Sequence, residues 1–209
     1  MTEPTSTLSL SDVKDIVVAL AAIVGMIVAI LGLTTWRRQL KGGIEYELTR
    51  RLLKYTYRLR EALKVVRHPA MFGSELAAPE SEKRLTEEQR RYAGLSSAYR
   101  ARWEKVVGAR DDLQRELLEA EVVWNKEIYA RFKPLFALQE ELNADVYSYL
   151  ALCNPDESVQ ARNSWQEIRR GRPREVLYDS LGEKPDEFSS DVVHAIVEIE
   201  SYLKPHLKK

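Results

Sequence analysis

Cysteine is almost absent from the sequence, since Cys153 is the only one among 209 residues. A single cysteine excludes an internal disulfide, which agrees with a reducing cytoplasm. A lone cysteine is far more often a small apolar residue of the protein interior than a nucleophile. We therefore expect Cys153 to be buried or half-buried and to have no chemical role.

Net charge is also lacking, because 32 basic residues balance 32 acidic ones. Without a basic excess there is no global attraction to nucleic acid, and any basic patch must be local. Turn-forming residues are few, with nine glycines and eight prolines, and almost a third of the residues are charged. This composition is typical of long solvated helices. The sequence therefore predicts an all-α fold and argues against nucleic acid as a partner.

Sequence motifs of known catalytic chemistry are missing. The chain has no glycine-rich phosphate loop, no serine elbow, no Cys-x-x-Cys pair and no His-Glu-x-x-His motif. One ligand-like spacing, Asp191-x-x-His194 with Glu198 one turn later, lacks the second copy that di-metal sites in helical bundles use. We therefore expect no metal, no cofactor, no catalytic residue and no enzymatic activity.

One long hydrophobic run is present. Residues 16–33 contain no charge, no Asn or Gln and no Pro, and as a helix they would extend about 27 Å, the thickness of a bilayer core. A cleaved signal peptide would need a positive leader, whereas three acidic residues here outnumber Lys14. A buried core helix would need apolar neighbours on all sides. We predict a transmembrane helix over residues 16–35 after an extracytoplasmic leader, residues 1–15.

The residues after the span predict its orientation. Trp36, Arg37, Arg38 and Lys41 supply an aromatic ring and three positive charges. Basic residues stay on the cytoplasmic side, and tryptophan prefers the headgroup level. We therefore predict a single-pass protein of the bacterial inner membrane, with its N-terminus outside, its C-terminal domain cytoplasmic and the lipid bilayer as a partner. A second interpretation makes Trp36 the first core residue of the next helix.

Small residues recur inside the span. Ala21, Gly25 and Ala29 are four apart and share one helical face. In lipid, helices associate through close backbone approach, which small residues at this spacing permit. The row therefore indicates self-association into a homo-oligomer, although alanine and glycine are common in membrane helices and the spacing could be chance.

A basic juxtamembrane hinge is predicted over residues 36–43, because Gly42 and Gly43 allow the chain to bend where it leaves the membrane. A cytoplasmic domain, residues 44–209, should follow as a bundle of long amphipathic helices. Its first helix, residues 44–67, has an apolar stripe at spacings of three and four. The stripe consists of Ile44, Leu48, Leu52, Tyr55, Leu59, Leu63 and Val66.

The other face of this helix is basic. Its positive residues are Arg50, Arg51, Lys54, Arg58, Arg60, Lys64 and Arg67, against Glu45, Glu47 and Glu61. We predict the first four as lipid- or partner-facing residues, because a basic juxtamembrane helix suits anionic cytoplasmic lipid. A solvated face that is merely basic is the equal alternative.

The middle of the chain predicts a loop and a long helical stretch. His68-Pro69 ends the first helix, and a long loop then reaches about residue 84. Thr86 and Gln89 form a capping box, after which an apolar period continues to Phe132 with Arg110 at an inward position. Residues 86–152 therefore predict either one kinked rod or a hairpin.

Gly108 is a candidate soft point, where a break would turn the rod into a hairpin, and Pro134 is expected to kink or interrupt the helix. A short helix should follow, with Asp156 or Ser158 as its cap, and end near residue 170. Ser189 or Ser190 is expected to cap the last helix, and the final four residues are expected to fray.

Two stretches carry a resemblance to a group of proteins. They are Trp36-Arg37-Arg38-Gln39-Leu40-Lys41-Gly42 with the following Glu45-Tyr46-Glu47-Leu48 and Arg50-Arg51-Leu52-Leu53, and the closing Ile199-Glu200-x-Tyr202-Leu203-Lys204-Pro205-His206-Leu207. The chain resembles uncharacterised bacterial proteins that have one N-terminal span and a helical cytoplasmic domain. The resemblance implies an architecture and carries no catalytic residue.

Three functions are compatible with this architecture. The first is a non-enzymatic, membrane-anchored scaffold or adaptor that self-associates and binds a partner protein, which we take as the main hypothesis. The alternative is a membrane-acting effector of a defence or toxin system, although a span without a polar face is more easily an anchor than a pore. An enzyme with a hidden site would need an inward cluster of titratable residues, and the sequence offers only Arg110.

Overall fold

The computed structural model describes residues 10–77, 85–182 and 184–208. Its helices are α1 (Leu10–Arg67), α2 (Glu87–Val123), α3 (Glu127–Cys153), α4 (Val159–Arg170) and α5 (Glu187–Leu203), followed by a 3₁₀ helix (Lys204–Lys208). These described ranges contain no strand, so the all-α prediction is confirmed. Residues 1–9 of the predicted leader and residues 78–84 of the predicted loop lie outside them.

The chain divides into two compact units, Met1–Glu45 and Tyr46–Lys209. In the first unit, α1 carries the apolar segment that the sequence predicts as a span. None of its most apolar window is buried, and among the described helices it alone is long and apolar enough to cross a membrane. The helix starts at Leu10, earlier than the sequence predicts.

α1 is helical through Gly42 and Gly43, and the division between the two units falls close by, after Glu45, so the hinge over residues 36–43 stays a prediction. Glycine costs a helix about 1 kcal/mol relative to alanine. Unlike proline, however, it keeps its backbone N–H and does not interrupt the hydrogen-bond ladder. Good helix formers on both sides are therefore sufficient to continue the helix.

The second unit is built around one apolar core. α3 packs against α2, α4 and α5, and residues of α1 belong to the same core. Its largest fully buried side chains are Tyr99, Phe132, Phe188, Leu48, Leu52, Leu59, Leu63, Leu113, Leu117, Ile128, Leu135 and Leu142. The apolar stripe predicted for residues 44–67 lies in this core except for Ile44, which is 55% exposed and belongs to the first unit.

α2 and α3 form an antiparallel hairpin. The ring of Tyr99 lies edge-on to Tyr149, with centroids 5.9 Å apart, and Arg110 Nη1 donates to Gln139 Oε1 at 3.0 Å. As residue numbers rise along α2, their partners' numbers fall along α3. Of the two predicted arrangements for residues 86–152, the hairpin is therefore the one that forms.

The hairpin turns at Asn125, and the break predicted at Gly108 is wrong. Asn125 has φ 128°, a region that asparagine enters more readily than most residues. Its Oδ1 accepts a hydrogen bond from the Glu127 backbone N–H at 2.8 Å, which caps the start of α3. Gly108 stays inside α2. α3 also continues through Pro134. Apolar side chains of α3 are buried on both sides of this proline, and their burial offsets the hydrogen bond that proline cannot donate because it has no N–H.

Helix caps follow the sequence in two of three cases. The capping box of Thr86 and Gln89 is confirmed, with both reciprocal hydrogen bonds present. Ser158, one of two predicted residues, caps α4. At α5 the cap is Asp186, which accepts from the Ser189 N–H at 2.8 Å, so the prediction of Ser189 or Ser190 is wrong. A carboxylate here is also favoured by the positive end of the helix dipole.

Arg67, the last residue of α1, is buried and does not belong to the exposed basic face predicted for it. It is 2% exposed, and the segment before α5 covers it. Its guanidinium donates to the carbonyls of Val176 and Tyr178 at 2.6 and 2.8 Å and pairs with Asp186 at 3.1 Å. At the end of α1 the helical period no longer predicts which residues are buried, because the segment that packs there is distant in the sequence.

A second buried arginine, Arg102, holds the loop that follows α1. It donates to the carbonyls of Val65, His68 and Ala70 at 3.1, 2.8 and 2.8 Å. It also binds the Glu75 carboxylate through two contacts of 3.0 Å. One side chain of α2 therefore satisfies the carbonyls that α1 leaves unpaired at its end. The described part of the predicted long loop is thus fixed to the bundle.

We expect Arg102→Met to destabilise the protein by about 2–4 kcal/mol, since it leaves buried carbonyls and a carboxylate without their donor. Urea denaturation would measure the change. The matched control is Arg100→Met, on the exposed side of the same helix, for which the change should stay within about 0.5 kcal/mol. Equal effects of the two substitutions would contradict the role assigned to Arg102.

Glu75 makes this contact dependent on pH. Hydrogen bonds from Arg102 and from the Phe72 backbone lower the pKa of Glu75 to about 2. Because the folded-state pKa lies below the unfolded one, the carboxylate contributes stability at neutral pH that is lost as pH falls from about 4.5 towards about 2. We expect Glu75→Gln to be less stable than wild type at pH 7, and the difference to shrink across that range. A difference that is constant from pH 7 to pH 3 in denaturation experiments would contradict this.

Candidate functional site

An open groove of about 800 Å³ lies along the exposed side of α1 in the second unit. Its apolar lining comes from α1, α2 and the chain after α5: Leu53, Ala62, Val65, Ala109 and Leu207, with the rings of Tyr46 and Tyr57. This volume is within the range of about 300–1,000 Å³ that binding sites usually have. The opposite side of the same helix is in the core. α1 therefore packs on one side and presents a groove on the other.

Positive side chains surround this apolar floor. Arg50, Lys54 and Arg58 follow one another at four-residue spacing on α1, and Lys105 lies across from them on α2. Arg50 pairs with Glu47 at 3.0 Å, and Arg58 pairs with Asp112 of α2 at 2.8 Å. Within the described ranges, Lys54 and Lys105 have no ion pair. The groove thus keeps two cations available for an anionic ligand, with Glu61 as the one acidic residue in its lining.

Arg51, predicted with the other three as lipid- or partner-facing, is used inside the bundle. Its guanidinium contacts Glu116 at 2.7 Å and Glu119 at 2.6 Å, both on α2. The hydrogen bond to Glu116 is the main reason why the pKa of Arg51 is raised. Arg51 therefore links α1 to α2, whereas Arg50, Lys54 and Arg58 line the groove.

Tyr57 connects the groove to α5. Its hydroxyl donates to Glu200 Oε1 at 2.7 Å. Burial, reinforced by this hydrogen bond to a carboxylate, raises the pKa of Tyr57 to about 12. Glu200 is also bound by Lys204. At Tyr57 the edge of the groove therefore coincides with the contact between α1 and α5.

The predicted membrane-interface residues Trp36, Arg37, Arg38 and Lys41 lie on α1 in the first unit and are exposed. Lys41 Nζ is 3.9 Å from the Glu45 carboxylate, and Trp36 is 60% exposed. Their position at lipid headgroups stays a prediction.

The predicted self-association row lies on the same helix. Ala21, Gly25 and Ala29 are exposed. A Cβ added to Gly25 would meet no heavy atom within 4 Å. Close packing between two copies of this row stays a prediction.

Arg110 points inward, as the sequence predicts. Its guanidinium stacks on the Phe136 ring and donates to Gln139, and burial lowers the pKa of Arg110. It also interacts with the Tyr129 hydroxyl and with the charges of Glu140 and Asp111, which act against the effect of burial. Its surroundings are those of a residue that joins α2 to α3.

The residues of the ligand-like spacing near the C-terminus do not converge on one point. Asp191 pairs with Arg174, and His194 is exposed. The residues that the structure describes contain no group of three His, Cys, Asp or Glu side chains that could hold a metal ion. Cys153 is free and half-buried.

Several residues of the groove were not predicted from the sequence. Tyr46, Leu53 and Tyr57 form a second apolar row at spacings of seven and four, which could have been seen between the basic residues. Leu207 lies in the four residues expected to fray. Its neighbour His206 is packed, with its ring 4.7 Å from the ring of Trp124.

The chain matches no protein family model, no curated protein and no solved structure. The roles of the groove residues follow from their own geometry and charge, because a helical-bundle fold hosts many unrelated functions.

Two cations of α1 should differ in their contribution to stability. Arg51→Ala removes contacts to two carboxylates and should cost about 1 kcal/mol. Lys54→Ala, in the groove, should change the free energy of unfolding by less than about 0.5 kcal/mol. Denaturation of the two variants side by side measures the difference. A larger loss for Lys54→Ala would show that this lysine serves the fold rather than the groove.

Proposed function

We propose that this protein is a membrane-anchored, non-enzymatic helical scaffold or adaptor that self-associates and binds a protein partner at the cytoplasmic face of the bacterial inner membrane. The observation that carries the proposal is the groove along α1. An open groove with an apolar floor and a mostly positive rim is the type of surface that receives an amphipathic helix. In this proposal the helical bundle is the scaffold, and the exposed cations of the groove recognise the partner protein.

The first unit supports the anchor. A helical segment of mean hydropathy 2.7 is not buried within the described part of the protein, and a bilayer would remove that surface from water. The positive charges of Arg37, Arg38 and Lys41 favour a cytoplasmic location for the residues after it. The row of Ala21, Gly25 and Ala29 supports self-association of two spans.

The chemistry of the bundle supports a role without catalysis. Buried charged groups here join elements of the fold: Arg67 and Arg102 bind loop carbonyls, and Asp145 pairs with Arg169 and Arg172. Two tyrosines of the core, Tyr99 and Tyr149, have pKa values that are raised mainly by burial, and their rings pack against each other. These are the surroundings of residues that fix a fold.

A photo-crosslinking experiment in native membranes tests the proposal. A benzophenone amino acid placed at Val65, on the edge of the groove, should form a discrete adduct with a protein chain after irradiation, and mass spectrometry would identify that chain. The matched control is the same amino acid at Leu118, which is exposed on α2 outside the groove lining. It should form no adduct of the same size.

A C-terminal fusion to a fluorescent protein, which matures only in the cytoplasm, reports the orientation in the same strain. Fluorescent, membrane-bound protein with an adduct at Val65 is the expected result. Absence of any adduct at Val65, or equal adducts at both positions, would contradict docking in the groove. Loss of membrane potential on moderate expression would instead favour an effector that acts on the membrane.

A further inference from the structure

The apolar floor of the groove is recessed. Leu53, Ala62 and Ala109 line the groove and are only 7%, 8% and 4% exposed. The two alanines belong to different helices, α1 and α2, and their short side chains leave room between the helices that larger side chains would fill. A flat lipid surface does not reach a recessed floor, whereas the projecting side chains of a docked helix do. The shape of the groove therefore favours a ligand with projecting apolar side chains.

The extent of the lining indicates the length and type of this ligand. Along α1 the lining extends from Tyr46 to Val65, which is about 28 Å of helix. A bound β-strand normally adds to the edge of a sheet, and the described ranges of the chain contain no strand. Nucleic-acid bases stack on aromatic platforms, whereas the recessed floor is aliphatic. A helix of about five turns with an apolar stripe matches this lining.

Two lysines of the lining keep their full charge. Lys54 on α1 and Lys105 on α2 are exposed and make no ion pair within the described ranges. Arg58 shares its partner Asp112 with Arg115, so one carboxylate serves two guanidinium groups. The groove therefore retains positive charge that the fold does not neutralise.

The acidic residue of the lining does not offset this charge. Glu61 is bound by Arg60 and Lys64 of the same helix, and neither of these cations lines the groove. The carboxylate of Glu61 is therefore already paired from outside the lining. A ligand with acidic side chains beside apolar ones gains from pairing with the free lysines, whereas a basic ligand meets charge of its own sign.

We infer that the partner protein docks an acidic amphipathic helix in the groove. This helix is about five turns long, places its apolar stripe on the recessed floor and places carboxylates beside Lys54 and Lys105. The inference rests on the proposed function and specifies the chemistry of the partner that the groove binds.

The two lysines are staggered along the groove. α1 and α2 run antiparallel, because Asp112 pairs with Arg58, whereas Arg102 donates to the carbonyl of Val65. Lys105 is therefore level with the part of α1 between Arg58 and Val65. The other lysine of the groove lies about two turns earlier on α1, a separation of about 11 Å. We expect the carboxylates of the partner helix to have about this separation.

A pair of synthetic peptides tests the inference with the full chain in nanodiscs of neutral phosphatidylcholine. The probe is a fluorescein-labelled helix of about 19 residues, with a leucine stripe and glutamates on both flanks. The comparison peptide has lysine at every glutamate position. In fluorescence anisotropy, with empty nanodiscs as the blank, the glutamate peptide should bind at least about tenfold more tightly. Equal affinities, or tighter binding of the lysine peptide, would overturn the inference.

Substitution of the two lysines should reverse this preference. Lys54→Glu combined with Lys105→Gln should weaken binding of the glutamate peptide about tenfold and strengthen binding of the lysine peptide, which loss of folding would not do. Lys105 becomes glutamine because its charge also acts on Glu75. The matched control, Arg100→Glu with Lys133→Gln, changes two exposed cations outside the groove lining. It should leave both affinities unchanged, and equal effects of the two double variants would contradict pairing in the groove.

The apolar part of the groove is tested separately. Val65→Ser should weaken binding of both peptides alike, about threefold, because it removes apolar contact without changing charge. Val107→Ser, at an exposed position of α2 outside the lining, is the matched control. Unchanged affinity of Val65→Ser for both peptides would show that charge alone holds them, which contradicts a docked helix.

The cross-link at Val65 separates failure of this inference from failure of the proposed function. The partner segment joined to Val65 in native membranes, mapped by mass spectrometry of the digested adduct, should have an apolar helical period and more acidic than basic residues. A basic segment, or one without that period, would overturn the inference while supporting the proposed function. No adduct together with no peptide binding would contradict both. In a Cys153→Ser background, a solvatochromic dye on Val65→Cys that responds only to anionic lipid would assign the groove to the membrane surface and also contradict both.

Discussion

The end of α1 is the point on which the bundle depends. Arg102 of α2 and Arg67 of α1 itself are almost fully buried there, and their guanidinium groups bind backbone carbonyls from two segments that have no regular structure. An unpaired carbonyl in such a place would cost about 1–3 kcal/mol, and several are satisfied at once. The planar guanidinium, with five donors in a fixed geometry, suits this task, whereas lysine offers a single charged group. The two arginines therefore fix the loop after α1 and the segment before α5.

This anchoring determines which side of α1 is left exposed. Once α2 is held on one flank by Arg51 and Arg102, and α5 on the other by Tyr57 and Arg67, the core takes the stripe of leucines between them. The remaining side has no helix of the bundle against it. Its floor is apolar, and its cations are only partly paired. The groove is thus a consequence of how the neighbouring helices are attached to α1.

Helix type and the main stripes of the bundle were predictable because they depend on local periodicity, and the capping box of Thr86 and Gln89 depends on four consecutive residues. The turn at Asn125 was not predictable, because Gly108 and Pro134 are stronger signals for a break in a sequence and both stay inside helices. The burial of Arg67 and Arg102 was not predictable for another reason. It depends on carbonyls that are distant along the chain: those of Val176 and Tyr178 for Arg67, and the loop at Ala70 for Arg102. The groove needed three segments that are far apart in sequence, so only its α1 residues Arg50, Lys54 and Arg58 could be proposed beforehand.

This arrangement shows how the charges of the neutral chain are distributed among its helices. A balance of 32 and 32 suggests a surface on which both signs are mixed, yet α5 is entirely acidic among its charged residues and the bundle part of α1 is mostly basic. The cations of α1 pair with acidic residues of α2, with Asp186 and with the glutamates of α1 itself. The exposed side of α1 retains positive charge, and the exposed side of α5 retains two valines. The zero sum of the sequence therefore conceals a local basic strip, which the fold leaves along the groove of α1.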